Sequence, residues 1–266
     1  MRIIARIQSD FPAKFGIPRQ SGLVDDLRAS VIFEPAFRSR DALRGLSGFS
    51  HIWLIWIFHQ AVRKTDHTNV GAAFNGKGQD KIFAQSPAAW SPTVRPPRLG
   101  GNQRVGVFAT RSPFRPNPIG LSCVRLEGID EHAQDGPVLR IRGADLMDGT
   151  PILDIKPYLP YTDCISDAAA GFATDSAAER LDVEIPPELL KQIPAEHQSA
   201  LYGVLAQDPR PRYQDDPARV YGFGFAGMEV RFTVKGKNLT VVEVAKMRSS
   251  TPQPVLAGRA ARRQFP

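Results

Sequence analysis

His59 and Gln60 close the most apolar run of the chain, Ile52-Trp53-Leu54-Ile55-Trp56-Ile57-Phe58, so an imidazole and a carboxamide leave a buried strand side by side. An imidazole there can accept a proton near neutral pH; it can equally be a strand-end histidine satisfied by backbone. Asp145 and Asp148 stand in the turn Asp145-Leu146-Met147-Asp148-Gly149-Thr150-Pro151, just ahead of a strand. They read either as acids able to take a proton or as a solvated turn. The segment Thr110-Arg111-Ser112-Pro113-Phe114-Arg115-Pro116-Asn117-Pro118-Ile119-Gly120 sets two guanidiniums and an amide among three prolines. Proline fixes φ and disfavours the helical region for the residue before it, so this loop must run extended and can hold Arg111, Arg115 and Asn117 in one geometry.

That loop belongs to a longer basic window. From Lys81 to Leu126 the bases are Lys81, Arg95, Arg98, Arg104, Arg111, Arg115 and Arg125, with no acid, so the window alone carries as much net charge as the whole chain, +7. A solvated face usually mixes signs. Arginine without counter-ions on proline-stiffened backbone suits a phosphate-rich partner, although charge alone allows equally an exposed basic loop with no specific partner.

Several chemistries are excluded. The two cysteines, Cys123 and Cys164, make neither a disulfide framework nor a cysteine-only zinc or iron–sulfur site, and they read as reduced thiols of a cytoplasmic protein. His51, His59, His67, His132 and His197 show no metal-ligand spacing, so no metal is expected. Gly222-Phe223-Gly224-Phe225-Ala226-Gly227 fits G-x-G-x-x-G, but the residues after it, Met228–Val234, alternate like a strand. A dinucleotide site needs a helix there, so the glycines are read as a hairpin entrance or a bulge. No signal peptide is expected at the N-terminus, and the Ile52–Phe58 run is far too short to span a bilayer.

The elements that must position these groups are mostly short strands. With 42% hydrophobic and 23% charged residues, the 266-residue chain has the composition of an ordinary globular protein with one large core or two smaller ones. Strands are expected at Ile3–Ile7, Val31–Phe33, Ile52–Phe58 (buried on both faces), Val105–Phe108, Leu121–Leu126, Val138–Arg142 and Ile152–Lys156, with a short helix at Arg40–Leu46. The expectation is a mainly β protein: an antiparallel β-barrel-like domain over 1–165, a long loop or insertion at 61–89, a small α+β domain over 166–248, and a basic, disordered tail at 249–266. The second domain should contain a strand at Leu181–Ile185, a helix over Pro187–Gln207 and a hairpin turning at Lys235-Gly236-Lys237-Asn238.

Several segments together resemble the TrmO family of tRNA methyltransferases, also catalogued as YaeB-like or VirR-like proteins. They are Lys14-Phe15-Gly16-Ile17-Pro18-Arg19-Gln20, Gly45–Trp53, Phe58-His59-Gln60, Val94–Asn102, Phe108–Ser122, Asp148–Tyr158 and Leu205-Ala206-Gln207-Asp208-Pro209-Arg210-Pro211-Arg212-Tyr213. The likeness runs to about Val244; the length of the stretch from Ala61 to Ala89 and the tail after Arg248 depart from the family pattern. The resemblance implies a β-barrel enzyme that uses S-adenosylmethionine to methylate N6 of threonylcarbamoyladenosine at position 37 of tRNA. It also implies a homodimer with the cofactor near the subunit interface. Its cofactor positions would fall on Pro18, Arg19, Gln20, His59, Gln60, Arg111, Leu121, Asp145, Leu146, Met147 and Asp148.

Methyl transfer from a sulfonium is an in-line displacement, so the protein must mainly position donor and acceptor. The acceptor nitrogen is a poor nucleophile until it loses its proton, which His59 or Asp148 could take. The anticodon arm of the tRNA would be held by Arg95, Arg98, Arg104, Arg115 and Asn117, helped by Gln207, Asp208 and Arg210. Two rivals are a non-catalytic RNA-binding barrel and a radical enzyme using the same cofactor; the second needs three clustered cysteines.

Overall fold

The structure is a computed structural model that describes residues 1–60, 90–96, 103–134, 136–176, 180–210 and 216–247. The long loop at 61–89 and the tail therefore lie outside the described residues. Six antiparallel strands close a barrel in the order β1 (Ala5–Ser9), β2 (Arg28–Phe33), β7 (Val138–Arg142), β6 (Ile119–Asp130), β3 (His51–Ile57) and β8 (Pro151–Pro157), the last pairing back to β1. Two further short strands, β4 (Thr93–Val94) and β5 (Val105–Gly106), form a separate hairpin.

Period-two patterning fills the barrel. Ile52, Leu54 and Trp56 of β3 point inward with Val31, Val124, Leu139, Ile141 and Ile152. Each fully buried aliphatic side chain contributes roughly 1.5–3 kcal/mol through area removed from water. The expectation that β3 is buried on both faces does not hold, because Trp53 and Ile55 on its outer face are only half-buried. A short run of β-branched and aromatic residues has the same sequence look in both cases, and only the partners on the outer face decide.

The second unit is a sheet of β10 (Tyr221–Phe225), β11 (Met228–Lys235), β12 (Asn238–Lys246) and β9 (Asp182–Glu184), with β9 parallel to β12. The glycine-rich motif is a hairpin: Phe225 pairs with Met228 across Ala226 (φ 49°) and Gly227 (φ 74°), both left-handed as a tight primed turn requires. The single helix expected over Pro187–Gln207 is instead two, Pro187–Leu190 and Ala195–Ala206. Pro194 breaks it, since proline removes a helical donor and disfavours the helical region for Ile193. Ala200, Leu201, Val204 and Leu205 form the buried face of the longer helix. Arg40–Leu46 makes only 3-10 turns around Gly45 (φ 86°), and the strand expected at Val105–Phe108 ends at Gly106 in another 3-10 turn.

The β1–β2 connection ties the two units together. Phe11, Val24 and Leu27 are buried in the core of the second unit, with Phe15 and Ile17 packed against it. The Ala226 N–H donates to the Asp10 carbonyl, and His197 Nδ1 lies 3.3 Å from the Asp10 carboxylate. Gly16 has φ +94° and a Cβ there would meet the Phe223 ring at 2.3 Å, so only glycine fits this crossing. From the next residue, Ile17, to Gln20 the same connection lines the mouth of the barrel.

Candidate functional site at the barrel mouth

The mouth is built where β3 ends and β6 begins. Trp56 pairs with Gly120 and Ile57 with Ile119, and the Phe58 N–H donates to the Pro118 carbonyl at 2.9 Å. The indole of Trp56 lies over Gly120, where a Cβ would sit 2.3 Å from the ring. That close approach explains why glycine follows the proline-rich loop. Beyond Trp56 opens a cavity of about 850 Å³, walled by the β1–β2 connection, the end of β3, the proline-rich loop and the turn before β8.

Among the residues singled out from sequence, Pro18, Arg19, Gln20, His59, Gln60, Arg111, Leu121, Asp145, Met147, Arg115 and Asn117 line this cavity. Two do not. Leu146 is buried in the barrel core, and Asp148 is exposed, its carboxylate accepting the Ser9 N–H at 3.1 Å. The turn alternates direction, so only Asp145 and Met147 of its four residues face the opening. Asp148 is thereby removed from the position a cavity base needs. Sequence reasoning did not single out Lys14, Trp56, Phe58, Phe114 or Thr150 as wall residues, nor Ser122 beneath Asp145. Cavity walls carry no spacing signal of their own.

Ser122 is fully buried and links two wall residues. Trp56 Nε1–H donates to Ser122 Oγ at 3.0 Å, and Ser122 Oγ–H donates to Asp145 Oδ1 at 2.6 Å. Indole nitrogen only donates, so the serine proton must go to the carboxylate. Burial pushes the Asp145 carboxyl above the ordinary aspartate value; the Ser122 bond, backbone N–H groups and the Arg111 charge oppose that rise. Burial lowers His59 below the ordinary histidine value, opposed by its backbone bond with Ile57 and assisted by Arg6. The lowered value favours the uncharged ring, the form that can take a proton. Arg111 Nη1 donates to Gln20 Oε1, and Arg115 Nη1 donates to the Thr110 carbonyl at 3.2 Å. Neither guanidinium forms an ion pair among the described residues.

The remaining cations lie elsewhere. Arg95 and Arg104 are exposed on the β4–β5 hairpin, and Arg98 lies outside the described residues. Arg125 reaches Asp25 at 3.8 Å, so it is paired rather than bare. Arg210 is turned onto Asp208, with bonds of 2.9 and 3.0 Å to its two carboxylate oxygens, next to Gln207 at the end of the long helix. No His/Cys/Asp/Glu group that could hold a metal exists among the described residues, and no helix there is long and apolar enough to cross a membrane.

The wall suits S-adenosylmethionine. Aromatic and aliphatic side chains can enclose the adenosine, the half-buried Asp145 carboxylate faces the opening for a cationic centre, and guanidiniums are available for a carboxylate.

Fold and site thus define a β-barrel with a ligand-sized cavity at its mouth, lined by aromatic, acidic and guanidinium side chains. Comparison with known proteins then places it. The tRNA-methyltransferase O N-terminal domain model matches residues 6–164 and the TrmO C-terminal domain model matches residues 178–247. The chain belongs to the TrmO family. It is 39% identical over 239 residues to the tRNA (adenine(37)-N6)-methyltransferase of Escherichia coli K12, covering 87% of this chain and 91% of that one. An Eikenella corrodens protein of the same description is 44% identical over 196 residues, covering 73% and 96%. A crystal structure of TrmO from P. aeruginosa superposes with a TM-score of 0.67 at 33% identity, covering 92% of this chain and 95% of that one.

Proposed function

We propose that this protein is an S-adenosylmethionine-dependent methyltransferase acting on N6 of adenosine 37 of tRNA, with the base already carrying a threonylcarbamoyl group. The observation that carries this reading is one cavity that joins the half-buried Asp145 carboxylate, the His59 imidazole and the Arg111 and Arg115 guanidiniums at the mouth of a TrmO-family barrel. When bound, S-adenosylmethionine supplies a methyl group activated by its sulfonium.

The chain's residues do the rest. Trp56, Phe58 and Leu121 exclude water and wall the adenosine. Asp145, held by Ser122, presents its carboxylate to positive charge. Arg111 or Arg115 engages the threonyl carboxylate, as a bidentate guanidinium does well. The carbonyl on N6 acidifies its N–H, so a mild base suffices, and His59 would take that proton on methyl transfer. Asp148, the other candidate base, is placed to hold the Ser9 backbone instead.

The β4–β5 hairpin and the helix end at Gln207-Asp208-Pro209-Arg210 face the anticodon arm in this reading. The barrel and the second unit act as methyltransferase and tRNA-contacting domains, in a cytoplasmic homodimer with the cofactor near the subunit interface. The test compares methyl incorporation into tRNA with and without the prior modification. Preference for the modified tRNA that collapses in Arg111→Ala or Arg115→Ala supports the reading; equal rates on both overturn the requirement for the threonylcarbamoyl group.

A further inference from the structure

The β4–β5 hairpin carries an aromatic pair that the cavity does not use. Trp90 is 39% exposed and Phe108 71%, and their ring centroids lie 5.8 Å apart with planes tilted by 37°. Between hairpin and proline-rich loop, Val107 is fully buried and its N–H donates to the Pro92 carbonyl at 2.9 Å. This anchor fixes the base of the hairpin, and Phe108, one residue on, is turned into solvent. Two aromatic faces left in water forgo a large burial gain, and exposed apolar patches of this kind mark interaction surfaces.

The same hairpin says what covers them. Arg104 is held rigidly across it, Nε donating to Thr93 Oγ1 at 2.7 Å and Nη2 to the Thr93 carbonyl at 3.2 Å. Arg95 is exposed beside it, and neither arginine forms an ion pair among the described residues. Aromatic rings at the base of the hairpin, with arginines that form no ion pair among the described residues further along it, match a single-stranded nucleic acid, which offers a phosphate and a π-face at every nucleotide. Position adds a reason. Phe108 stands three residues before Arg111 of the cavity wall, so the two Cα atoms are at most about 11 Å apart. To methylate a base nitrogen the enzyme must take that base out of its stack, and its neighbour then loses a stacking partner.

We propose that Trp90 and Phe108 form a stacking platform for an unpaired base next to the target adenosine, with Arg95 and Arg104 further along the hairpin on the adjoining phosphates. The proposal rests on the tRNA reading above and adds to it the group that receives the displaced neighbour. Its energetic meaning is a replacement of base–base stacking by base–aromatic stacking, which tolerates any base identity.

The test uses the full-length protein, S-adenosylmethionine, and two anticodon stem-loop RNAs: one intact and one abasic at the nucleotides flanking adenosine 37. Phe108→Ala should weaken binding of the intact RNA by about fivefold or more, and Trp90→Ala likewise, with cofactor affinity unchanged. Phe108→Tyr should restore binding. Wild-type protein should lose a similar factor on the abasic RNA, and Phe108→Ala should lose nothing further there. An equal penalty from Phe108→Ala on both RNAs overturns the proposal. So does a change of sedimentation behaviour in Phe108→Ala with RNA affinity intact, which would assign the rings to a second copy of the chain. Absence of methyl incorporation by wild-type protein, with the stacking cycle as predicted, would instead overturn the enzymatic reading and leave the platform standing.

Discussion

Replacing Ser122 by alanine tests the chain Trp56–Ser122–Asp145 through its pH dependence. The substitution removes two bonds at a fully buried position: the acceptor for Trp56 Nε1–H and the donor to Asp145 Oδ1. An orphaned buried indole N–H costs roughly 1–3 kcal/mol at every pH. The lost bond to the carboxylate adds about 1.5–3 kcal/mol, but only while Asp145 is ionised. Burial already holds the Asp145 carboxyl above its ordinary value of 3.8, and the Ser122 bond opposes that shift, so Ser122→Ala raises it further. Stability tied to the neutral acid is fully present below 3.8 and is lost as pH rises through the folded value. The unfolded carboxyl is common to both proteins, so the destabilisation by Ser122→Ala should grow with pH between the wild-type and variant folded-state values and level off above them. Urea unfolding of both proteins at a series of pH values measures this directly, and the acid limb of kcat/KM should move to higher pH in the variant. A loss that is the same at acid and neutral pH would show that Ser122 does not hold Asp145 as a carboxylate.

Gly120→Ala should drive a methyl group into the Trp56 ring, costing roughly 1–3 kcal/mol in thermal or urea unfolding and weakening cofactor binding by calorimetry. Asp145→Asn should weaken S-adenosylmethionine binding far more than Asp148→Ala, because only Asp145 lines the cavity; the reverse order would contradict the placement of the turn. Arg104→Ala should lower the slope of log affinity for tRNA against log salt by roughly 0.7–0.9, one phosphate contact, while leaving cofactor affinity unchanged.

The barrel was legible because its strands alternate and its turns are punctuated: Val138–Arg142 has the bounds read from sequence, and Ile152–Lys156 extends by one residue at each end. Met228–Val234 alternates clearly enough that the glycine motif before it could be recognised as part of a hairpin rather than a nucleotide site. The break in the long helix was also visible, as Pro194, and was overridden by a run of apolar residues at helical spacing. Two kinds of information were not local. Whether Trp53 and Ile55 are covered depends on what packs outside β3, and the facing of Asp145 against Asp148 depends on the turn's path relative to β1. Ser122 was hidden for the same reason: a small polar residue at an inward strand position becomes informative only when an indole from β3 and a carboxylate from the turn before β8 converge on it.

The most direct test of the central claim is nucleoside mass spectrometry of tRNA incubated with purified protein and S-adenosylmethionine carrying a labelled methyl group. The account predicts one labelled methyl on N6 of threonylcarbamoyladenosine at position 37, no label on tRNA lacking that modification, and little label with Asp145→Asn. A label on another nucleotide, or a full yield with Asp145→Asn, would contradict it.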